Sequence, residues 1–220
     1  MGLPTLTFEQ IVLTQRGLVL IAGVDEAGRG ALAGPVVAAA VILPLSDPNL
    51  LTRLALVNDS KQVTSKRRQN LVSVIEEAAL AYGVGMVDAA AIDQMGILPA
   101  TKEAMRQAIL ALNPPPGFVL IDGNVPLKNV VLPQQTIVRG DQLSLTIAAA
   151  SILAKVSRDA YMMAQAQHYP IYQFERHKGY GTAQHIALLQ KHGPSPLHRY
   201  SFAPLKHTFG LPLGIIPPGI

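Results

Sequence analysis

The chain of 220 residues contains no cysteine. Disulfide bonds and thiolate metal sites are therefore excluded, and the compartment cannot be inferred from cysteine chemistry. There is also no apolar run of the roughly 18 to 20 residues that a membrane-spanning helix needs. The most apolar stretch, residues 31–45, is interrupted by glycine and proline. The N-terminus lacks the pattern of a secretory signal. We therefore expect no membrane association and a cytoplasmic location.

Charged residues are scarce as well. They make up 15% of the chain against 49% hydrophobic residues, a composition typical of folded globular proteins rather than of disordered ones. The length fits one domain with room for a small appendage. Eighteen lysines and arginines face fourteen acidic residues, so the net charge of +4 favours a polyanionic partner.

Two apolar runs near the start, residues 17–24 and 35–43, predict β-strands. Three glycines lie between them, so a tight loop can bring the two strands together as an antiparallel pair. Further strands are predicted at 82–87, 118–121 and 135–138, and helices at 64–81, 98–112 and 144–167. This order indicates a mixed sheet covered by helices.

Four acidic residues follow the predicted strands: Asp25 and Glu26 the first, Asp122 the fourth and Asp141 the fifth. Sites in open α/β sheets form at strand ends, so these carboxylates are expected to converge. A single aspartate is more often a cap, a turn residue or a surface charge, but a doubled acid directly after an apolar strand has no evident capping role. Clustered carboxylates need a divalent cation, and oxygen-only ligands favour Mg²⁺ or Mn²⁺. Such a site suits phosphodiester hydrolysis.

Residues 23–30 (GVDEAGRG) closely resemble the signature of the ribonuclease HII family. Four further segments resemble that family in the same order, and the match spans most of the chain. They are 58–61 (NDSK), 121–124 (IDGN), 149–156 (AASILAKV) with Arg158-Asp159, and 177–180 (HKGY).

The resemblance implies a ribonuclease H-like mixed five-stranded sheet flanked by helices, with a C-terminal helical extension. It divides the chain into an N-terminal segment (1–16), a catalytic domain (17–168), an extension that completes the substrate site (169–210) and an irregular tail (211–220). We expect a monomer, because no separate dimerisation element is apparent.

The resemblance further implies that Asp25, Glu26, Asp122 and Asp141 bind the Mg²⁺ or Mn²⁺ ions and act in catalysis. The expected substrates are RNA/DNA hybrids and duplex DNA with single embedded ribonucleotides. The family cuts on the 5′ side of a ribonucleotide and leaves a 3′-hydroxyl and a 5′-phosphate. Ribonucleotide excision in DNA replication and repair is the implied role.

Substrate contacts are implied for seven residues: Gly28, Arg29, Gly30, Lys61, Ser151, Lys155 and Tyr180. The glycine loop is expected to read the 2′-hydroxyl, which distinguishes RNA from DNA. Tyr180 is expected to pack on the sugar of the next nucleotide. Lys61 and Lys155 are candidates for phosphate contacts, although Lys155 could be only a surface charge, and Ser151 could equally face a neighbouring strand.

Several assignments have competitors. Asp159 competes with Asp141 as the fourth acid, but a structural ion pair with the adjacent Arg158 is the simpler account of Asp159. His177 could assist proton transfer or product release, yet a histidine in such a loop is more often simply exposed.

Three other functions compete with this interpretation. Residues 28–33 fit the dinucleotide pattern G-x-G-x-x-A, but a valine-rich strand follows where that motif requires a helix. A non-catalytic nucleic-acid-binding module is disfavoured, because four clustered acids weaken binding to phosphate. Another ribonuclease H-like metal nuclease, such as an exonuclease or a junction resolvase, would not need the glycine loop together with Tyr180.

Overall fold

The computed structural model describes residues 3–17, 20–57 and 65–209. In these ranges five strands form one mixed sheet with the spatial order β3-β2-β1-β4-β5. The strands are β1 (Ile21–Ala27), β2 (Val36–Ile42), β3 (Ala81–Val87), β4 (Phe118–Asp122) and β5 (Gln134–Ile137). The central strand β1 pairs antiparallel with β2 and parallel with β4.

Helices cover both faces of the sheet and continue beyond it towards the C-terminus. They are α1 (Thr7–Arg16), α2 (Leu50–Arg53), α3 (Ser65–Ala78), α4 (Ala89–Met95), α5 (Ile97–Leu110), α6 (Gly140–Leu143), α7 (Leu145–His168), α8 (Phe174–His177), α9 (Ala183–His192) and α10 (Leu205–Thr208). A short 3₁₀ turn, Pro170–Tyr172, precedes α8. In the described ranges, no helix has both the length and the apolarity needed to cross a bilayer.

Burial of both faces explains the composition of the sheet. Every residue of β2 (VVAAAVI) is buried, as expected for a strand between two helical layers. One face packs against α3 and α7 through residues such as Ala39, Val41 and Ile152. The other packs against α5 through Ala38, Ala40 and Ala104. The edge strand β3 instead alternates buried and exposed residues.

Small residues let the helices approach the sheet closely. A Cβ atom on Gly23 of β1 would overlap the backbone at Thr146, where α7 begins. Gly23 is thus the reason why α7 can lie directly on the central strand. This approach matters for function, because α7 carries side chains to the end of β1.

The predicted mixed sheet flanked by helices is confirmed, and the glycine loop does join an antiparallel pair. The prediction for the first strand was wrong in its limits. It spans Ile21–Ala27 rather than 17–24, so Asp25 and Glu26 lie within the strand and not after it. The reason is continued pairing, because these two residues face Ala39 and Ala38 of β2.

The helix α1 was not predicted from the sequence. Its Glu9 is fully buried and accepts hydrogen bonds from the hydroxyls of Ser144 and Thr146, at 2.6 and 2.7 Å. The helix is therefore tied to the start of α7 by a polar contact that no hydrophobic pattern reveals. The proposed division into segments stays a prediction, and the tail at 211–220 lies outside the described residues.

We predict that Gly23→Ala lowers the free energy of unfolding by about 1–3 kcal/mol, because the added methyl group must push α7 away from the sheet. Urea denaturation measures this change. Gly30→Ala is the matched control. Its Cβ would meet no atom within 4 Å, so a change of less than about 0.5 kcal/mol is expected. Equal loss in both variants would contradict the proposed close packing.

Candidate active site

Two neighbouring parallel strands bring acidic residues to one edge of the sheet. Val24 of β1 pairs with Ile121 of β4, so Asp25 and Asp122 occupy the next position on each strand. Adjacent strands lie about 4.8 Å apart, which places the two residues side by side.

A cleft of about 350 Å³ opens at this edge. Its walls come from β1 and the loop that follows, from α3 and α7, and from the segment after α8. The lining residues are Asp25, Glu26, Ala27, Gly28, Arg29, Arg68, Asp122, Ser151, Lys155 and Tyr180. The cleft thus contains three of the four predicted acids and five of the seven predicted substrate residues.

Asp25 lies at the bottom of this cleft and is 4% exposed. It accepts a hydrogen bond from the backbone N–H of Glu26 at 2.6 Å and another from the Ser151 hydroxyl. Burial raises the pKa of Asp25 well above its usual value, and the negative charges of Glu26 and Asp122 raise it further. A positive charge in the cleft would therefore favour the ionised form of Asp25.

Glu26 points to the opposite face of β1, because side chains alternate along a strand. Its carboxylate forms a 3.0 Å ion pair with Arg29, whose side chain is about half exposed. Arg29 therefore stands at the mouth of the cleft. There it can approach a phosphate while remaining close to the acidic group.

Asp122 and Asp141 are linked through the backbone. The N–H of Gly140 donates to Asp122 Oδ1 at 2.7 Å, and the N–H of Asp141 is 3.4 Å from the same oxygen. Asp141 belongs to α6 and is buried, with 3% exposure. It is therefore a neighbour of Asp122, although it is not among the residues that line the cleft.

The oxygen-only donors of this cleft fit a hard divalent cation. In the described part of the chain, no group of three or more acidic or histidine side chains is arranged to hold a metal ion by itself. Mg²⁺ does not require such a group, because it keeps several waters and binds through one or two carboxylates plus substrate phosphates. Asp25 and Asp122, with Glu26 beside them, supply that partial set.

The loop after β1 is held in place by Arg158 of α7. This buried guanidinium donates to the carbonyls of Pro35, Ala33 and Lys178 at 2.9, 3.0 and 3.0 Å. A Cβ atom on Gly28 would overlap Arg158, so Gly28 is required for this packing. The predicted ion pair between Arg158 and Asp159 was wrong, because the carbonyl groups occupy the guanidinium.

A second buried arginine, Arg199, holds the same loop. It donates to the carbonyls of Gly34 and Arg29, each at 2.9 Å. Fork-shaped guanidinium groups suit several carbonyls at once, which one lysine could not bind. The two arginines therefore fix the backbone of the loop from two directions. No pattern along the chain singled out Arg199.

Tyr180 is joined to the loop and to α7. It forms a bridge with Ala31, and the guanidinium of Arg158 lies 4.9 Å from its ring centre. The ammonium of Lys155 lies 5.0 Å from the same ring and 2.6 Å from the carboxylate of Asp159. Lys155 is thus a partly buried cleft residue rather than a free surface charge, and Asp159 is its ion-pair partner.

Ser151 and Arg68 differ from the expectations. The Ser151 hydroxyl bonds to Asp25, so Ser151 orients an acid instead of simply facing a strand. Arg68 of α3 lines the cleft but was not singled out, because nothing in a basic helix start distinguishes one arginine. Lys61 and its segment 58–61 lie outside the described residues.

Three buried histidines support the segment that carries Tyr180. His177 was expected to be exposed, but it is 7% exposed and its ring stacks on His185 at 4.2 Å. Its Nδ1 accepts a hydrogen bond from the N–H of Gly179 at 3.2 Å. Phe174 packs edge-on against both rings, which explains their low exposure.

Hydrogen bonds determine the protonation of these rings. A carbonyl only accepts, so His185 Nδ1 donates to the Tyr180 carbonyl at 3.0 Å. The N–H of Ser195 donates to His198 Nδ1, so His198 Nε2 donates to His185 Nε2 at 3.0 Å. Each ring is neutral in this chain. Burial lowers the pKa of His185 to about 4 and that of His198 to about 3.

The family model for ribonuclease HII matches residues 22–205 of this chain. Among curated proteins, the ribonuclease HII of Endomicrobium trichonymphae is 51% identical over 190 residues, which is 86% of this chain and 88% of the relative.

Solved structures show the same fold. The ribonuclease H2 of Pyrococcus horikoshii OT3 superposes with a TM-score of 0.70 at 25% identity, covering 85% of this chain and 95% of that one. Bst-RNase HIII in complex with Mn²⁺ gives a TM-score of 0.67 at 19% identity, with coverage of 89% and 71%. The sheet and its helices are therefore ribonuclease H-like.

We predict that the free energy of unfolding falls as the pH drops from about 6.5 towards 4. Histidines of the unfolded chain take up protons in this window, whereas the buried His185 and His198 do not. The folded state binds fewer protons, so stability declines by about 1.4 kcal/mol per pH unit for each ring. Urea titrations at several pH values measure the slope. His198→Gln keeps a hydrogen-bond donor but cannot take up a proton. This variant should therefore reduce the slope of the free energy of unfolding against pH. A slope that this variant does not change would contradict the assignment.

Proposed function

The chain belongs to the ribonuclease HII family, and on that premise we propose that it cuts duplex DNA on the 5′ side of single embedded ribonucleotides, leaving a 3′-hydroxyl and a 5′-phosphate. It is an endoribonuclease of the ribonuclease H type that acts on RNA/DNA hybrids. The proposal concerns the finer choice of substrate and the way in which the cleft performs the reaction.

One observation carries this proposal: the acids and the candidate sugar-reading groups line the same cleft. Asp25 and Asp122 form one wall, while Gly28, Arg29 and Tyr180 form another. A nuclease that ignored the sugar would need only the acids and some basic residues. A glycine loop that lines the cleft and is held by two arginines suits recognition of a 2′-hydroxyl next to the phosphate that is cut.

We propose that Asp25, Glu26 and Asp122 hold Mg²⁺ or Mn²⁺ together with the substrate phosphate. When bound, the ion neutralises the phosphate, lowers the pKa of a water and stabilises the leaving oxygen. Asp141 is the fourth acid of this proposal. It is buried next to Asp122, and the backbone N–H of Gly140 donates to the Asp122 carboxylate between them.

The protein side chains have separate tasks. Ser151 donates to Asp25 and orients its carboxylate for ligand binding. Arg29 approaches the phosphate from the mouth of the cleft, and Lys155 lies on the α7 side. Tyr180 packs on the sugar that follows the ribonucleotide. Its ring is already contacted by the cations of Lys155 and Arg158, so binding needs little reordering.

Two alternatives are less well supported. A non-catalytic binding module would not require a buried carboxylate such as Asp25, whose desolvation is unfavourable without a cation. Another ribonuclease H-like nuclease would not require the clamped glycine loop. Cytoplasmic location, monomeric state and a role in ribonucleotide excision are further parts of the proposal, and gel filtration tests the monomer.

We predict that Asp25→Asn lowers the rate of cleavage of a duplex with one ribonucleotide by more than about a thousandfold. The amide keeps the shape of the side chain but removes the charge that binds the cation. Duplex binding should persist within about threefold, since the basic residues remain. Gel-based cleavage with Mg²⁺ or Mn²⁺ and a binding titration measure both. Glu76→Gln on α3, also a loss of one acidic charge, is the control. Retained cutting by Asp25→Asn would refute the mechanism.

We also predict that Tyr180→Ala lowers kcat/KM about tenfold or more for a ribonucleotide followed by DNA, because the ring no longer covers the sugar. The loss for a ribonucleotide followed by RNA should be smaller. Tyr180→Phe keeps the ring and should retain most of the preference. The ratio of kcat/KM for the two substrates is the measurement. An unchanged ratio in Tyr180→Ala would remove Tyr180 from sugar recognition.

A further inference from the structure

A second groove shares one wall with the active-site cleft. Glu26, Arg29 and Asp122 line both, whereas Ser151, Tyr180 and Lys155 line only the cleft. The groove has a volume of about 280 Å³ and lies on the α5 side of the sheet. The two depressions therefore extend in different directions from the same acids, and together they form one path across the strand ends.

One face of α5 builds the far wall of this groove. Leu98, Thr101, Lys102 and Met105 follow the spacing i, i+3, i+4 and i+7, so they lie on the same side of the helix. The loop after β4 faces them with residues 123–125 and 127. Glu26 reaches the groove because its side chain points to the α5 face of β1, as the burial of Val24 against α5 indicates.

The charge of the groove suits a nucleic-acid backbone. Glu103 beside Lys102 is engaged by Arg106 through two hydrogen bonds, at 2.7 and 2.8 Å. It therefore does not neutralise the Lys102 ammonium. Past Leu98 and Lys102 the surface continues as an open depression that Lys128 also lines. Within the described residues, the acids that line the groove itself are Glu26 and Asp122, which belong to the active site.

The groove also has exposed apolar side chains on its walls. Leu98 is 55% exposed and Val125 is 47% exposed, on opposite walls of the groove. Exposed aliphatic side chains beside a lysine match a polynucleotide strand, in which apolar sugar faces alternate with charged phosphates. A small anion would use the lysine but leave the apolar walls without a partner.

We propose that this groove holds the nucleotides that precede the ribonucleotide in the strand that is cut, with Lys102 on an upstream phosphate. The inference rests on the proposed function, in which Tyr180 takes the nucleotide that follows the ribonucleotide. The scissile phosphate lies at the acids, between the ribonucleotide and its 5′ neighbour. The 3′ side therefore occupies the cleft with Tyr180, and the 5′ side must leave through the groove along α5.

The test compares two duplexes with one ribonucleotide, the same downstream sequence and a full-length complementary strand. The cut strand has either two or about twelve nucleotides before the ribonucleotide. The wild type should favour the longer upstream arm by about three- to tenfold in kcat/KM, the effect of one phosphate contact. Lys102→Met should lose most of this advantage. The slope of log kcat/KM against log salt on the long duplex should become shallower by about 1.

Lys191→Met on α9 is the matched control and should keep both the length advantage and the salt slope. Thermal unfolding of Lys102→Met should equal that of the wild type, since the ammonium is not ion-paired among the described residues. Equal cutting of both duplexes by the wild type, or an advantage that survives in Lys102→Met, would overturn the groove assignment alone. A second pair of duplexes differs only in the length of the downstream arm. Loss of a length advantage there in Lys102→Met would indicate the reverse strand direction and overturn the proposal. No cutting of either duplex would overturn the proposed function and the groove with it.

Discussion

The binding of loop carbonyls by two buried guanidinium groups is the contact on which the site depends. Arg158 and Arg199 bind carbonyls from Arg29 to Pro35, and Arg158 also binds that of Lys178. The loop after β1 and the segment with Tyr180 thereby become one rigid unit. Loss of either arginine would leave carbonyls buried without donors, which is costly. The carbonyl dipoles that both guanidinium groups contact offset part of the cost of burying two cations together.

This rigid unit holds a constant position relative to the acids. Asp25 and Asp122 come from the regular pairing of β1 and β4, which sets their separation without any contribution from loops. The glycine loop leaves β1 two residues after Asp25, so its position relative to the acids is set by the strand and by the arginines. The proposed phosphate site at the acids and the proposed sugar site at the loop therefore belong to parts of the molecule that cannot move independently.

Charge is distributed so that opposite signs meet at the cleft. The acids are gathered at the strand ends, where repulsion and burial raise the pKa of Asp25. Arg29, Arg68 and Lys155 line the same cleft, and Lys102 lies just beyond it. The basic residues favour a polyanion, while the acids favour a divalent cation. The modest net charge of the chain understates this local separation.

The sequence alone determined the architecture and most of the residues that line the cleft. The alternation of apolar strands and amphipathic helices predicted the mixed sheet. The acidic pair after an apolar run marked Asp25 and Glu26 as site candidates. Both signals involve residues that are close together in the sequence. It could not place Glu9, Arg199 or the three histidines, since each is a polar group buried by partners more than a hundred residues away or by stacked rings. Only the tertiary structure decided that Asp141 lies next to Asp122, that Ser151 bonds to Asp25 and that Lys102 lines the neighbouring groove. Such roles depend on which face of one element packs against another element. The residues adjacent in sequence do not indicate that packing.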